Sequence, residues 1–516
     1  MTNHRRLSLP ILVAGLLGLA LLAAACLGTA QSTPTRPTAT KGPPLPPEQR
    51  YELVACPYDI PWGPIIECGY LTVPENRSDP DSRDIRLAVA IAKSTSPDPR
   101  PDPIVYLDGG PGASTIETLS LVYDGFFAPF ATERDVVLFD QRGIGESKPA
   151  LDCPGLDNAF LESVQRDIRG EQLRSLITAS LTACKRDLDA AGVDLAAYNS
   201  AESAADLNDL RQALGIEEWN LYGISYGTRL ALTVMRDHPQ NIRSVILDSS
   251  YPPQADLYAE LLSNADRAFD KLFTGCAADA ACNAAYPDLE RIFFEVVDGL
   301  NYEPAELEVY HYAMDKTIEA KMNGDLFLRA IFSTLYSTSI IPILPALIYS
   351  AHDGDTEGLT PLIGDLFFTY DTISSGMHFS VECREEFPFG SAEGYLAAID
   401  EYPDLRHGLD LPIIDICELW DVPPADPIEN EPVVSDIPTL ILAGEYDPIT
   451  PPRWGEQVAQ DLSRGYFFTF PGVGHGASVA DICPLEMTFA FLSDPSVRPD
   501  SSCIESMNGP YFFTER

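Results

Sequence analysis

Residues 219–237 have the sequence WNLYGISYGTRLALTVMRD, in which an apolar segment, a glycine-flanked serine and an amphipathic segment follow one another. Residues 219–222 predict a short buried strand, and residues 226–237 predict a helix. Between them, residues 223–227 have the pattern GxSxG, whose small residues allow a sharp turn from strand to helix and expose the serine hydroxyl. The pattern alone also arises by chance. Its strand and helix context makes Ser225 the predicted nucleophile.

Other short apolar runs, each followed by turn residues, predict further buried strands. They cover residues 104–107, 135–139, 244–247, 437–443 and 466–470. Helical patterns alternate with these strands. The clearest covers residues 203–214, where Ser203 can cap the helix and Gly215 can end it. Strands that alternate with helices imply an α/β fold with a mainly parallel central sheet flanked by helices.

The segment between the two groups of strands, residues 253–434, has mostly helical patterns with aromatic and aliphatic clusters. We interpret it as a helical cap inserted into the α/β core, which then consists of residues 50–252 and 435–516. The apolar run 331–349 raises the question of a membrane helix. Two prolines interrupt it, which favours buried helices of the cap.

The N-terminus has the pattern of an export signal over residues 1–26, because two arginines precede an apolar run that ends in small residues. Residues 22–26, LAAAC, resemble a bacterial lipobox, which predicts a lipid anchor on Cys26. Ordinary secretion and an uncleaved anchor are the alternatives. Residues 27–49 are rich in proline and threonine and predict an extended linker. The protein is therefore expected to be secreted, or lipid-anchored on the outer face of a bacterial cell membrane.

The chain has 11 cysteines, and ten remain when Cys26 is left out of the count. An even number of cysteines outside a reducing cytoplasm predicts disulfides. Sequence proximity suggests the pairs Cys56 with Cys68, Cys153 with Cys184, Cys276 with Cys282, Cys383 with Cys417, and Cys483 with Cys503, although spacing cannot establish connectivity. Metal binding is the alternative, and the absence of any CxxC pair disfavours it.

The composition limits the partners of the protein. Its formal net charge of −43 disfavours nucleic acid and anionic membrane surfaces, which would repel it. Membrane contact is expected only through an N-terminal lipid anchor. The sequence does not indicate the oligomeric state.

A glycine-rich loop, residues 108–112, directly follows the predicted strand 104–107. Glycine permits the close backbone approach that an oxyanion hole requires. We therefore predict that the backbone N–H groups of Gly110 and Tyr226 stabilise the oxyanion. A plain glycine turn is the alternative.

A serine nucleophile on such a strand-turn-helix needs an acid and a histidine that follow it in that order. Asp447 and His475 meet this requirement, because each lies in a loop just after a predicted strand. His475 would take the proton of Ser225, and Asp447 would orient the imidazole and stabilise its charged form. Glu445 is the nearest competitor for the acid.

Together these motifs resemble the proline iminopeptidase and tripeptidyl aminopeptidase-like (TAP-like) family of the α/β-hydrolases. The resemblance spans nearly the whole chain after the linker, and it includes CGYLTVP at residues 68–74, GGPG at 109–112 and DQRGIGES at 140–147. Asp108 departs from the histidine that is usual in proline iminopeptidases, which leaves a preference for proline open. The resemblance implies an α/β-hydrolase fold that needs no metal or organic cofactor. It also implies release of one or a few residues from free peptide N-termini.

Such enzymes hold the α-ammonium of the substrate with anionic groups. Residues 380–386, SVECREE, resemble a segment typical of the tripeptidyl branch, and a disulfide at Cys383 would fix Glu385 and Glu386 at the mouth of the cleft. These two glutamates are the candidate amine-binding residues. Solvated surface or structural pairing is the alternative in so acidic a chain.

Three functions follow from this sequence. The first is an exported aminopeptidase or tripeptidyl aminopeptidase that acts through an acyl-enzyme on peptides with free N-termini. The second is a carboxylesterase, because the same triad cleaves esters and a fold does not choose a substrate. The third is a binding protein that kept the fold without its chemistry, which the intact triad disfavours.

Overall fold

The computed structural model describes residues 46–56 and 66–515. The predictions for the export signal, for Cys26 and for the linker as far as residue 45 lie outside the described residues. A short 3-10 helix, Pro47–Gln49, is the first described element, and the first strand follows it.

Within the described residues, eleven strands form one large and one small sheet. The strands are β1 Tyr51–Val54, β2 Ile66–Pro74, β3 Asp84–Ala92, β4 Ile104–Leu107, β5 Val136–Phe139, β6 Trp219–Ile224, β7 Ile242–Asp248, β8 Ala305–His311, β9 Lys316–Met322, β10 Thr439–Gly444 and β11 Gly465–Phe470. The order in the large sheet is β1-β2-β3-β5-β4-β6-β7-β10-β11. From β5 to β11 all neighbours are parallel, while β1, β2 and β3 pair antiparallel at one edge. The predicted mainly parallel sheet is confirmed.

The central strands are buried on both faces. Val105 and Leu221 point to one side of the sheet, and their neighbours Tyr106 and Tyr222 point to the other. Continuous burial of this kind is typical of parallel strands, whose crossover helices cover both faces. The antiparallel strands at the edge were not predicted.

The described residues form eighteen α-helices. They are α1 Thr115–Val122, α2 Pro154–Arg166, α3 Gly170–Ala190, α4 Ser200–Ala213, α5 Tyr226–Asp237, α6 Leu257–Ala278, α7 Ala280–Ala285, α8 Leu289–Tyr302, α9 Gly324–Thr334, α10 Leu344–His352, α11 Thr360–Asp371, α12 Ser375–Val381, α13 Ala392–Glu401, α14 Pro403–Leu409, α15 Ile413–Trp420, α16 Pro452–Asp461, α17 Ala477–Ala480 and α18 Ile482–Ser493. Helix α5 has the predicted bounds. Helix α4 begins earlier than predicted, because the side chain of Asn199 rather than that of Ser203 caps it.

The segment between β7 and β10 is a mostly helical insertion with its own apolar core, which includes Phe269, Phe293 and Phe327. It contains α6 to α15 and also the antiparallel hairpin β8-β9, which was not predicted. The domain boundaries at residues 252 and 434 stay predictions. The apolar run 331–349 covers the end of α9, a 3-10 turn and α10. Among the described residues, we find no helix with the length and apolarity needed to span a bilayer.

Five disulfides lie within residues 46–56 and 66–515, and they join the five pairs that sequence proximity suggested. The bond between Cys383 and Cys417 ties the segment after α12 to α15 within the insertion. The bond between Cys483 and Cys503 fastens the C-terminal segment to α18.

Candidate active site

Ser225 lies at the turn between β6 and α5, where the sequence predicts it. Its backbone has φ 59° and ψ −129°, a conformation that costs energy for any residue with a side chain. Gly223 and Gly227 make this turn feasible. A Cβ atom at Gly227 would lie 1.9 Å from the carbonyl oxygen of Leu107, and one at Gly223 would lie 2.4 Å from that of Gly227. The elbow therefore packs against β4 more closely than other residues permit, and it presents a partly exposed Ser225.

His475 and Asp447 come together at the same edge of the sheet, in the loops after β11 and β10. The imidazole Nδ1 lies 2.9 Å from Asp447 Oδ2. Asp447 is fully buried and also accepts hydrogen bonds from the backbone N–H groups of Ile449 and Thr450, at 3.1 and 2.9 Å, and from the Thr450 hydroxyl at 2.8 Å. With Nδ1 facing the carboxylate, Nε2 is the nitrogen that remains to act as a base.

The ionisation of the two groups is linked. Burial alone would raise the pKa of Asp447, but the charge and hydrogen bond of His475 and the hydrogen bonds of Thr450 outweigh it and lower that pKa. Burial alone would lower the pKa of His475, but Asp447, with a smaller contribution from Asp248, raises it above the ordinary value. The pair is therefore built to stabilise an imidazolium beside an ionised carboxylate.

Glu445, the competing acid, points elsewhere. Its carboxylate pairs with Lys271 at 2.9 Å and accepts the backbone N–H of Gly472 at 3.2 Å. The structure thus gives His475 a single carboxylate partner on the loop after β10, which is Asp447.

The glycine-rich loop after β4 packs directly against the elbow. A Cβ atom at Gly109 would lie 3.0 Å from Ser225 Cβ and 3.5 Å from Ser225 Oγ. The N–H of Gly109 donates to Asp108 Oδ1 at 2.8 Å. Within the described part of the chain, no acceptor takes up the N–H of Gly110 or that of Tyr226. These two donors remain available for an oxyanion beside Ser225.

Asp140, in the DQRGIGES motif, supports the helix that follows this loop. It is fully buried and accepts hydrogen bonds from the Ser114 hydroxyl at 3.0 Å and from the backbone N–H groups of Ile116 and Glu146 at 3.1 and 2.9 Å. Burial raises its pKa to about 7. The motif therefore fixes the start of α1, next to the glycine-rich loop.

Glu385 and Glu386 do not lie at an open cleft mouth, because their exposed fractions are 1% and 5%. Both oxygens of Glu385 accept hydrogen bonds from Ser200, from its N–H at 2.5 Å and its hydroxyl at 2.6 Å. Glu386 pairs with Arg229 at 2.7 Å. The expected position at the mouth is therefore corrected: this segment is packed inside, where carboxylates need buried partners.

Sequence reasoning missed two members of this cluster, Glu382 and Arg229. Glu382 is buried and accepts the hydroxyl of Tyr258 at 2.7 Å. Arg229 is fully buried one helical turn beyond the elbow, on α5. Burial raises the pKa of both Glu382 and Glu386, despite the opposing charge of Arg229. An arginine in the otherwise apolar face of α5 was the available signal for a buried acidic partner.

The insertion also contacts the loops of Asp447 and His475, which the sequence did not indicate. The carbonyl oxygen of Tyr336 accepts the N–H of His475 at 2.9 Å, and the rings of these residues lie 4.9 Å apart. The hydroxyl of Thr338 accepts the N–H of Gly474 at 3.0 Å. From α6, Arg267 donates to the carbonyl oxygens of Glu445 and Asp447. The insertion therefore braces both loops as well as covering them.

Comparisons with known proteins identify the fold family of the chain. A profile of the alpha/beta hydrolase fold matches residues 102–480. The serine protease Hip1 of Mycobacterium tuberculosis is 27% identical over 475 residues, which cover 86% of this chain and 88% of the relative. Carboxylesterase B of the same species is 26% identical over 517 residues, covering 92% and 94%.

A third relative, the tripeptidyl aminopeptidase of Streptomyces lividans, is 31% identical over 200 residues, covering 37% of this chain and 36% of the relative. The profile match includes the elbow, the glycine-rich loop and the loops of Asp447 and His475. The chain therefore belongs to the α/β-hydrolase fold family.

Proposed function

We propose that this protein is an exported serine peptidase that releases single residues or short peptides, such as tripeptides, from free N-termini. The observation that carries the proposal is the buried pair of Asp447 and His475 at the sheet edge that also bears Ser225 on its elbow. The serine protease and the tripeptidyl aminopeptidase among the relatives support a peptide substrate. The five disulfides support export from a reducing cytoplasm.

In the proposed mechanism, His475 Nε2 takes the proton of Ser225 as Oγ attacks the scissile carbonyl carbon. The N–H groups of Gly110 and Tyr226 donate to the resulting oxyanion, and each such donor contributes on the order of 3 kcal/mol. His475 then protonates the leaving amine, which departs and leaves an ester on Ser225. Water, deprotonated by His475, then attacks this ester, and His475 returns the proton to Ser225 Oγ as the acid is released. No metal or organic cofactor takes part.

We also propose that the buried glutamates bind the α-ammonium group of the substrate. Arg229 pairs with Glu385 and Glu386 and also acts on Glu382 through its charge, so three carboxyl groups share this guanidinium and the cluster favours a further positive charge. Glu386 is the better candidate of the two predicted residues, because both oxygens of Glu385 already accept hydrogen bonds from Ser200. Structural pairing with Arg229 remains the competing role.

A carboxylesterase is the second candidate function. A relative with that name covers most of this chain, and the same triad and oxyanion donors cleave esters.

Chromogenic aminoacyl and tripeptidyl amides, each with a free or an acetylated N-terminus, separate the two functions when tested on the disulfide-bonded protein. A peptidase of the proposed kind cleaves only the free-amine amides, and Ser225→Ala abolishes this activity. If every amide resists cleavage while a short ester is hydrolysed in a Ser225-dependent way, the protein is a carboxylesterase. Activity that survives in the Ser225→Ala variant would exclude both mechanisms.

A further inference from the structure

A second buried aspartate, outside the triad, connects Ser225 to the segment that contains His475, residues 471–478, which we call the histidine loop. Asp248 is the last residue of β7 and is fully buried. Its backbone carbonyl oxygen accepts the N–H of Ser225 at 3.1 Å. Its carboxylate accepts the N–H of Ala477 at 2.8 Å, the N–H of Ser478 at 2.7 Å and the hydroxyl of Ser478. One residue thus holds the elbow through its main chain and the segment after His475 through its side chain.

We infer that Asp248 is a positioning residue, which sets the place of His475 relative to Ser225. The inference rests on the proposed function, because it concerns the base of that mechanism. Proton transfer depends steeply on geometry, so that a displacement of about 1 Å can cost on the order of 100-fold in rate. An anchor shared by both loops limits their relative displacement.

The neighbouring contacts extend this anchor. The hydroxyl of Ser249 accepts the N–H of Gly476 at 2.9 Å, so three consecutive amides after His475 are held by the end of β7. The hydroxyl of Tyr222, on β6, hydrogen-bonds to that of Ser478. A carboxylate buried this deeply is costly unless donors satisfy it, and here those donors all belong to the histidine loop.

Asp248 also acts on His475 through its charge. The charged and titratable groups around this imidazole are Asp447 in hydrogen-bond contact, Asp248 behind the loop, the Tyr336 phenol of the insertion, and the Arg267 guanidinium bound to the carbonyl of Asp447. Asp248 contributes to the raised pKa of His475, although less than Asp447 does. A neutral residue at position 248 should therefore lower that pKa.

Asp248→Asn tests the inference. Its steady-state kinetics are measured on a free-amine amide, after Ser225→Ala has been measured on the same substrate. Asp102→Asn is the matched control, since Asp102 is also a buried aspartate next to the central strands, two residues before β4. It accepts hydrogen bonds from Asn220 and Arg134, at the opposite edge of the sheet. We expect Asp248→Asn to lower kcat about 10-fold or more with little change in KM. We also expect the acid limb of the pH profile of kcat/KM to move about half a pH unit lower.

The control decides between positioning and plain loss of stability. Asp102→Asn should lower the melting temperature without moving the acid limb. A wild-type kcat and acid limb in Asp248→Asn would overturn the inference, as would an equal shift in Asp102→Asn. If Ser225→Ala keeps its activity, the proposed function fails and the inference fails with it.

A second variant covers the case in which Asp248→Asn does not fold. Ser478→Ala removes one donor to Asp248 but keeps the aspartate side chain itself. It should lower kcat about 3-fold or more and leave the acid limb in place. A wild-type kcat in Ser478→Ala would then overturn the positioning role.

Discussion

Asp447 and Glu386 are both buried carboxyl groups, the first beside the imidazole of His475 and the second beside the guanidinium of Arg229, yet their pKa values shift in opposite directions. Asp447 faces His475 and three further donors, all from Ile449 and Thr450, and its pKa is lowered. Glu386 shares Arg229 with two other carboxylates, and its pKa is raised well above the ordinary value. Burial raises the pKa of a carboxyl at both places, and the charge and hydrogen bonds of the surrounding groups decide whether that pKa ends above or below the ordinary value.

The largest expected effect is the loss of activity on substitution of Asp447. Asp447→Asn should lower kcat about 10⁴-fold at neutral pH, because an amide no longer holds the histidine in the required tautomer or stabilises its positive charge. Glu445→Gln, two residues earlier in the same loop, is the control and should stay close to wild type. Steady-state kinetics on a free-amine amide measure both variants. A larger loss in Glu445→Gln would transfer the role of the acid to Glu445.

The next largest effect is a loss of stability when Arg229, the partner of the buried glutamates, is replaced. Arg229→Met removes the cation shared by the buried glutamates and should cost about 3–5 kcal/mol in free energy of unfolding, measured with urea. Arg186→Met, which breaks an exposed pair with Asp187, should change that free energy little. Adding Glu386→Gln to Arg229→Met should recover part of the loss. Equal losses in the two single arginine variants would mean that Arg229 does not offset the electrostatic cost of burying the glutamates.

A smaller and selective effect tests amine recognition. Glu386→Gln should lower kcat/KM about 10-fold for free-amine amides, because Gln cannot ionise to pair with the bound ammonium. Hydrolysis of a simple ester without an amine should change less than about 2-fold. Equal losses on both substrates would contradict amine recognition and leave structural pairing as the role of Glu386.

The smallest effect is the pH dependence of stability, which should have opposite signs at the two sites. Glu386 has a raised pKa in the folded protein, so the stability it contributes is present at low pH and is lost as the pH rises through that value. Asp447 has a lowered pKa, so its contribution is present above the ordinary value and is lost as the pH falls through the lowered one.

Urea unfolding of wild type, Glu386→Gln and Asp447→Asn over a range of pH measures this difference. Relative to wild type, Glu386→Gln should become more stable as the pH rises, and Asp447→Asn should recover stability as the pH falls. Parallel curves for the two variants would contradict the opposite shifts of the two pKa values.

Elements that depend on residues near in sequence were predicted, and elements that depend on distant pairing partners were not. Helix α5 and the strand before Ser225 were predicted because their apolar periodicity and the glycine turn are local. The hairpin β8-β9 and the antiparallel strands at the sheet edge were missed, since their pairing partners are chosen across the fold. The cap of α4 was misplaced because Asn199 and Ser203 are both capping residues, and local sequence does not decide between them.

At the candidate site, the sequence by itself determined the nucleophile elbow, the glycine-rich loop, the two late loops and the pairs of cysteines near in sequence. Each of these depends on residues that lie within one short segment or on their order in the chain. The tertiary structure alone decided that Glu385 and Glu386 are buried, that Arg229 lies between them, and that Tyr336 and Asp248 hold the histidine loop. Those contacts join residues far apart in sequence, and the side chain that reaches a buried charge is fixed by packing.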